Sequence, residues 1–176
     1  MKIDVEVPKG ITVNVSWNKI KATGSKGSVE KEIKSRVIIV KLDTDKIILE
    51  SKNDRKKTLS ILNTAKAIIK NMFSGVNKKF VYTLRGVYSH FPITLAIKGK
   101  QFVITNYLGE KNPRTIDILD NVEVVIKGKD VVVSSVDKEN AGIVAGLIEN
   151  KARVLNRDRR VFQDGVYIIS KGVQNE

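Results

Sequence analysis

The chain contains no cysteine, which excludes disulfides, thiolate-bound metal centres and cysteine nucleophiles. His90 is the single histidine, so neither a histidine metal pair nor a histidine relay can be assembled. Aromatic residues number ten among 176, too few to expect successive platforms on which nucleic-acid bases stack. Long apolar runs are missing too. The longest, such as Val37–Val40 and Val131–Val133, fall far short of the roughly 20 residues that a membrane-spanning helix needs. The start, Met1-Lys2-Ile3-Asp4-Val5, lacks the apolar stretch of a secretory signal, and a cytoplasmic location is expected.

What the chain has in excess is positive charge. Thirty-two Lys and Arg against nineteen Asp and Glu leave +13 and a pI near 9.9. A field of that sign and size calls for a polyanionic partner, nucleic acid before membrane. Hydrophobic residues at 41% mark a folding sequence and not a disordered basic tail. The length allows one domain or two small ones, each with a modest core.

The pattern of elements favours two. In the first half, strand-like stretches run Ile11–Val15, Lys19–Thr23, Arg36–Leu42 and Lys46–Glu50. They are separated by the turn signals Pro8-Lys9-Gly10, Gly24-Ser25-Lys26-Gly27 and Asp43-Thr44-Asp45. A helix follows, with Leu59, Leu62, Ala65, Ile68, Ile69, Met72 and Phe73 on one face and Gly75 as a stop signal. The second half repeats the order. Its strands are Ile93–Ile97, Gln101–Asn106, Asn121–Lys127 and Asp130–Ser135. A helix then opens at Asp137 and carries Ala141, Val144, Ala145 and Ile148. The hairpin Val40–Leu49 answers Val124–Val133 at an offset of 84 residues. The fold class expected is α+β, two tandem duplicated domains, each a mostly antiparallel β-sheet packed on one main helix. The domains are read as 1–81 and 82–176, with the strand-like Phe80–Tyr88 as the link.

Catalytic chemistry finds little footing. Asp158 and Asp164 are the only candidate carboxylate pair. Asp158 sits between Arg157 and Arg159, which would hold it ionised as an orienting group. Asp164-Gly165 reads as a turn dipeptide first. No nucleophile, base and orienting group can be read together, so no catalytic residue, metal ligand, cofactor or small-molecule substrate is assigned. Gly24-Ser25-Lys26-Gly27 matches the GxxG of a KH-type loop, but that loop joins helices and this one joins strands. Arg85-Gly86-Val87-Tyr88 begins like an RNA-recognition strand, with Val87 where the first aromatic should stand.

The informative segment is 153–167. It places Arg153, Arg157, Arg159 and Arg160 within eight positions of a chain whose other basic residues are mostly lysine. Arginine offers a planar fork that grips phosphate bidentately, whereas lysine is a mobile point charge. Bulk charge does not explain the cluster. Residues 1–81 carry 18 basic and 8 acidic residues, while 82–176 carry 14 and 11, yet six of the eight arginines lie in the second half. Val161, Phe162, Val166, Tyr167 and Ile168 interleave with the charges and would anchor them, which a merely solvated loop does not need.

The same residues carry a resemblance. The run Arg157-Asp158-Arg159-Arg160-Val161-Phe162-Gln163-Asp164-Gly165-Val166-Tyr167-Ile168, with Lys171 after it, resembles the large-subunit ribosomal protein L-six family in its archaeal and eukaryotic form. Val7-Pro8-Lys9-Gly10-Ile11 and Asn71-Met72-Phe73-Ser74-Gly75-Val76 extend the likeness over the whole chain. One departure is Asn150, where glutamine is expected, amide for amide. The resemblance implies two copies of one α+β domain and no enzymatic activity. It implies a ribosomal constituent that binds large-subunit rRNA near the sarcin–ricin loop and the translation-factor site, chiefly through the C-terminal domain. Neighbouring large-subunit proteins and translation factors would lie close by. On this sequence Arg153, Arg157, Arg159 and Arg160 would grip phosphates, with Lys171 as the closing base. Asn156 and Gln163 would hydrogen-bond sugar or base edges, Asp158 would orient arginines, and Gly165 would permit a tight turn. Phe162 and Tyr167 would anchor, and Lys100, Lys111 and Arg114 are further RNA candidates on neighbouring loops. Two alternatives stand beside this reading: a free-standing regulatory RNA-binding module, and a metal-dependent RNA-processing enzyme using Asp158 and Asp164.

Overall fold

Alternating burial along the strands and a three-to-four spacing along the helices sort the chain into two layers. The computed structural model describes residues 1–33, 35, 37–43, 46–51, 53 and 55–173. Arg36 of the expected strand 36–42, and Thr44 and Asp45 of the expected turn, lie outside them. The chain divides into two compact units, Met1–Lys79 and Phe80–Glu176, the second starting two residues before the expected boundary.

The first unit runs β1 (Lys2–Glu6), β2 (Thr12–Ser16), β3 (Lys19–Gly24), β4 (Gly27–Glu32), β5 (Ile38–Asp43), β6 (Lys46–Ser51) and α1 (Lys56–Asn77). Its strands pair as β1-β6-β5 and β2-β3-β4, all antiparallel. In β3 the alternation buries Ile20 and Ala22, and in β6 Ile47 and Leu49. Helix α1 covers these faces with Leu62, Ala65, Ile69, Met72, Phe73 and Val76. It runs two residues past the expected stop at Gly75. The Gly24–Gly27 segment is the β3–β4 hairpin turn, and its glycine answers to packing. A Cβ on Gly24 would lie 2.9 Å from the Val76 carbonyl oxygen, the same oxygen that accepts the Lys26 N–H at 3.0 Å.

The second unit repeats the order as β7 (Phe80–Val87), β8 (Thr94–Lys98), β9 (Gln101–Thr105), β10 (Arg114–Asp117), β11 (Val122–Lys127), β12 (Asp130–Ser135) and α2 (Lys138–Lys151). Its sheets are β8-β9-β10 and, with a further strand β13 (Gly165–Val173), β11-β12-β7-β13. Two antiparallel sheets and one α-helix per unit, among the described residues, bear out the duplicated α+β fold, with the strands of each unit divided between two sheets where one was expected. Asp137 caps α2 by accepting the Glu139 N–H at 3.0 Å, as its position predicts. Ala141, Val144, Ala145 and Ile148 are buried against the sheet. Residues Phe80–Val87, read from sequence as a link, form a strand hydrogen-bonded on both sides, to β12 and to β13. Leu84 at its centre is fully buried, a contribution of about 1.5–3 kcal/mol to that unit's core.

Among the described residues one element has no counterpart in the first unit. After α2 the chain forms a loop and returns as β13 (Gly165–Val173), antiparallel to β7 with a bulge between Ile168 and Ser170. The corresponding strand β1 is an edge strand. The duplicated unit is thus extended once, and the arginines lie on that extension.

Candidate nucleic-acid interface

The loop leaves α2 at Ala152, whose N–H still donates to the Ile148 carbonyl at 3.0 Å. Val154 is buried, and Asn156 turns the chain through a left-handed conformation, φ 57°, which asparagine tolerates better than most residues. Asp158 builds the next turn. Its carbonyl accepts the N–H groups of Val161 (3.2 Å) and Phe162 (2.9 Å). Its carboxylate accepts the Arg160 N–H at 2.9 Å and the Arg160 guanidinium at 2.9 Å. That side-chain hydrogen bond from Arg160, with the backbone one beside it, holds the Asp158 carboxyl below its ordinary range. Asp158 therefore orients an arginine, and the one it selects is Arg160. Arg157 lies over the Phe162 ring at 4.8 Å, and His90 stacks on the same ring at 4.8 Å.

A single buried hydroxyl closes the neck of the loop. Tyr107, 1% exposed, directs its O–H to the carbonyls of Ala152 (2.7 Å) and Asp164 (2.9 Å), the residues at the two ends of the loop. The backbone is bent to place it there. Asn106 and Leu108, on either side, both take left-handed φ values of 57° and 50°, a cost of order 1 kcal/mol each. Burial pushes the Tyr107 phenol up to about 12, against the opposing pull of Arg114.

Arg114 lies 4.0 Å over that Tyr107 ring. Its Nε donates to Glu110 at 2.8 Å, with a second bond from the same guanidinium, and its other terminal nitrogen donates to the carbonyls of Lys151 (2.7 Å) and Arg153 (3.1 Å). The Lys151 carbonyl is the last of α2, where a cation is favoured. All three guanidinium nitrogens are engaged, so Arg114 clasps the base of the loop.

The far end is pinned by Asp164. Its side chain, 1% exposed, accepts the Ser89 N–H at 2.6 Å and the Ser89 hydroxyl at 3.0 Å. Its second oxygen lies 3.4 Å from His90 Nδ1, without a hydrogen-bond partner among the described residues. Burial raises the Asp164 pKa, but Ser89 and His90 outweigh it and the carboxyl lies below its ordinary value. Ser, His and Asp converge here, yet Ser89 and Asp164 both face the same ring nitrogen. A nucleophilic triad needs serine and aspartate on opposite nitrogens, so this cluster is a pin.

The sequence candidates separate accordingly. Arg153, Asn156, Arg157, Asp158, Arg159, Arg160 and Gln163 lie exposed on one loop. Among the described residues Arg153 and Arg159 form no ion pair with a carboxylate, while the Arg157 charge helps hold the Glu110 carboxyl below its ordinary value. Lys171 is exposed on β13 opposite Tyr82. Lys100 lies in the β8–β9 turn, paired with Asp120, and Lys111 is exposed before β10. Gly165 departs from its expected role. It opens β13 without a left-handed φ, and a Cβ there would press on the outer end of the Tyr167 ring at 3.0 Å. Asp164 likewise is a buried acceptor where a turn residue was expected. Sequence reasoning missed Ser89, Tyr107, Glu110 and Glu149 as supports of the loop. Glu149 accepts the Ile168 N–H of β13 at 3.0 Å. Ser89, Tyr107 and Glu149 carry no local signal, since their partners are distant in sequence, whereas Glu110 pairs with Arg114 four residues on and that spacing was there to be read.

Fold and site together define a tandem-repeat α+β protein that displays a rigidly anchored arginine loop. Comparison assigns the family: a model described as Ribosomal protein L6 matches residues 7–79 and again 91–165, and the chain belongs to that family. It is 41% identical over 169 residues to the large ribosomal subunit protein uL6 of Methanocella arvoryzae, covering 96% of each chain. It is 40% identical over 173 residues to that of Sulfurisphaera tokodaii, covering 97% of this chain and 92% of the relative. Against that of Aeropyrum pernix the identity is 37% over 170 residues, covering 96% and 93%.

Proposed function

We propose that this protein is a structural constituent of the large ribosomal subunit. In this reading it binds large-subunit rRNA mainly through the second unit, near the sarcin–ricin loop and the translation-factor site. The observation that carries the reading is an exposed loop bearing Arg153, Arg157, Arg159 and Arg160, locked at both ends by Tyr107 and Asp164. Locking matters because phosphate contacts position a protein only if the donors hold fixed directions. Membership of the family, and relatives named as large-subunit proteins, support the same conclusion. Arg157, Arg159 and Arg160 grip phosphates, Arg153 and Lys171 extend the contact, and Asn156 and Gln163 reach sugar or base edges. Lys100 and Lys111 lie on neighbouring segments of the same unit and add to its basic field. Arg114, and Asp158 with it, act by holding the loop in shape. Neighbouring ribosomal proteins and translation factors would be its other partners.

The enzyme alternative loses its carboxylate pair. Asp164 is buried on Ser89, and Asp158 is committed to Arg160. Two experiments test the proposal. The protein should co-sediment with the large subunit on a high-salt sucrose gradient; its absence from purified subunits would favour a free-standing RNA-binding module. Changing Arg157, Arg159 and Arg160 together to alanine should weaken binding to large-subunit rRNA. It should also flatten the dependence of log affinity on log salt by about 2–3, at roughly 0.7–0.9 per lost phosphate contact. The thermal melt should barely move, because all three side chains are exposed.

A further inference from the structure

Between the end of α2, the arginine loop and the start of β13 lies a cavity of about 330 Å³. Its walls are chemically divided. Phe162 and Tyr167 supply aromatic surface, Arg153 and Arg159 supply cationic forks, and Glu149 and Asn150 supply an acceptor and an amide. The volume lies at the lower end of the roughly 300–1,000 Å³ typical of small-ligand sites. The occupant must therefore be small, planar in part, and anionic in part.

We infer that this cavity receives a single unpaired, unstacked nucleotide of the bound RNA, its base against Tyr167 and its phosphate between Arg153 and Arg159, with Phe162, already covered by His90 and Arg157, closing the wall beside it. The inference rests on the RNA-binding reading above and makes it specific. Charge complementarity favours it, because among the described residues both arginines lack a carboxylate partner. So does rigidity. The Tyr167 hydroxyl donates to the Gln163 carbonyl at 3.0 Å, and Gly165 leaves the ring room where any Cβ would press on it at 3.0 Å. A glycine that makes way for an aromatic ring at a cavity wall keeps that ring in place to face a base. Single-stranded RNA is read in this manner, by stacking and by hydrogen bonds to exposed base edges.

The edge-reading groups select the base. Glu149, which lines the cavity, is held by its bond from the Ile168 N–H to Oε1 and keeps further acceptor capacity. A fixed carboxylate accepts from adjacent N–H donors and repels carbonyl oxygens. Guanine presents N1–H and N2–H side by side, while uracil flanks its single N3–H with two carbonyls. The Asn150 amide can donate to the guanine O6. The cavity therefore prefers guanosine and rejects uridine.

The test uses the full-length protein labelled with nitrogen-15 and titrated with 5′-GMP, 5′-UMP and inorganic phosphate in separate arms. Millimolar 5′-GMP should shift the backbone amides of Arg153, Phe162 and Ile168, saturating at several-fold lower concentration than 5′-UMP. Inorganic phosphate should move Arg153 but not Ile168. In Glu149→Gln the preference for 5′-GMP over 5′-UMP should fall towards one, and Tyr167→Leu should weaken both nucleotides alike. No shift with 5′-GMP, or equal responses to nucleotide and phosphate, would overturn the inference. An unchanged base preference in Glu149→Gln would overturn the reading of the edge. Binding of large-subunit rRNA by the wild type and by the triple arginine variant is measured alongside. Intact, arginine-dependent rRNA binding with a silent cavity would sink the nucleotide site alone.

Discussion

Removing the Tyr107 hydroxyl is the sharpest perturbation the structure offers, because one oxygen joins both ends of the arginine loop. Tyr107→Phe keeps the ring, its burial and its contact with Arg114, and deletes only the donor to Ala152 and Asp164. The lost hydrogen bond contributes about 1 kcal/mol, and two buried carbonyls left short of a donor raise the cost to about 1–3 kcal/mol. The wild-type phenol, held at about 12 by burial, adds a second signature. A raised folded-state pKa means that the unfolded chain ionises first, near pH 10, so stability is full below pH 10 and is lost as pH rises towards 12. Two pKa units correspond to about 3 kcal/mol. Urea melts of both proteins should therefore differ by about 1–3 kcal/mol at pH 8, and the gap should narrow by about 1 kcal/mol at pH 11. Lysine titration affects both proteins and cancels in the difference. Affinity for rRNA should fall as well, although no group that touches RNA has been removed. A gap that stays constant from pH 8 to pH 11, or unaltered stability at pH 8, would refute the reasoning.

Other perturbations probe the same frame. Arg114→Lys keeps the charge but not the fork, so rRNA affinity should fall while its salt slope is unchanged; an unaffected affinity would mean that the loop does not need the Arg114 clasp. Asp164 has a folded-state pKa below its ordinary value, so its stabilisation is complete above about pH 4 and fades as pH falls through the lower folded value. Asp164→Asn should remove that acid limb, read by urea melts from pH 5 to pH 2, and parallel curves would argue against the pin. Gly165→Ala should cost up to about 1 kcal/mol, since the half-exposed end of the Tyr167 ring must give way by a few tenths of an ångström. Adding Tyr167→Ala should recover part of that loss in thermal melts, and strict additivity would show that the ring is not the obstacle.

How much of this was legible beforehand depends on the distance over which each feature is decided. Ile20 and Ala22 alternate with Lys19 and Lys21, and Ala141, Val144, Ala145 and Ile148 share one helical face. A period of two or of three to four reports directly which face is buried. Strands β4 and β10 escaped, because each buries a single apolar residue, Val29 and Ile116, too few to set a period. Phe80–Val87 was read as strand-like but misplaced as a link, since nothing local reveals that strands will pair on both its sides.

The arginine loop divides in the same way. Residue choice alone marks Arg153, Arg157, Arg159 and Arg160 as built for a polyanion, because the planar fork and the charge belong to the side chain itself. The duplication too is written in the chain, since each copy repeats its own periodicities. Only the tertiary structure decides which groups hold that loop still. Tyr107 reaches Ala152 and Asp164 across 45 and 57 residues, and Ser89 reaches Asp164 across 75. Such partners meet because β7, β10, α2 and β13 pack around one core, and no spacing along the chain encodes that meeting.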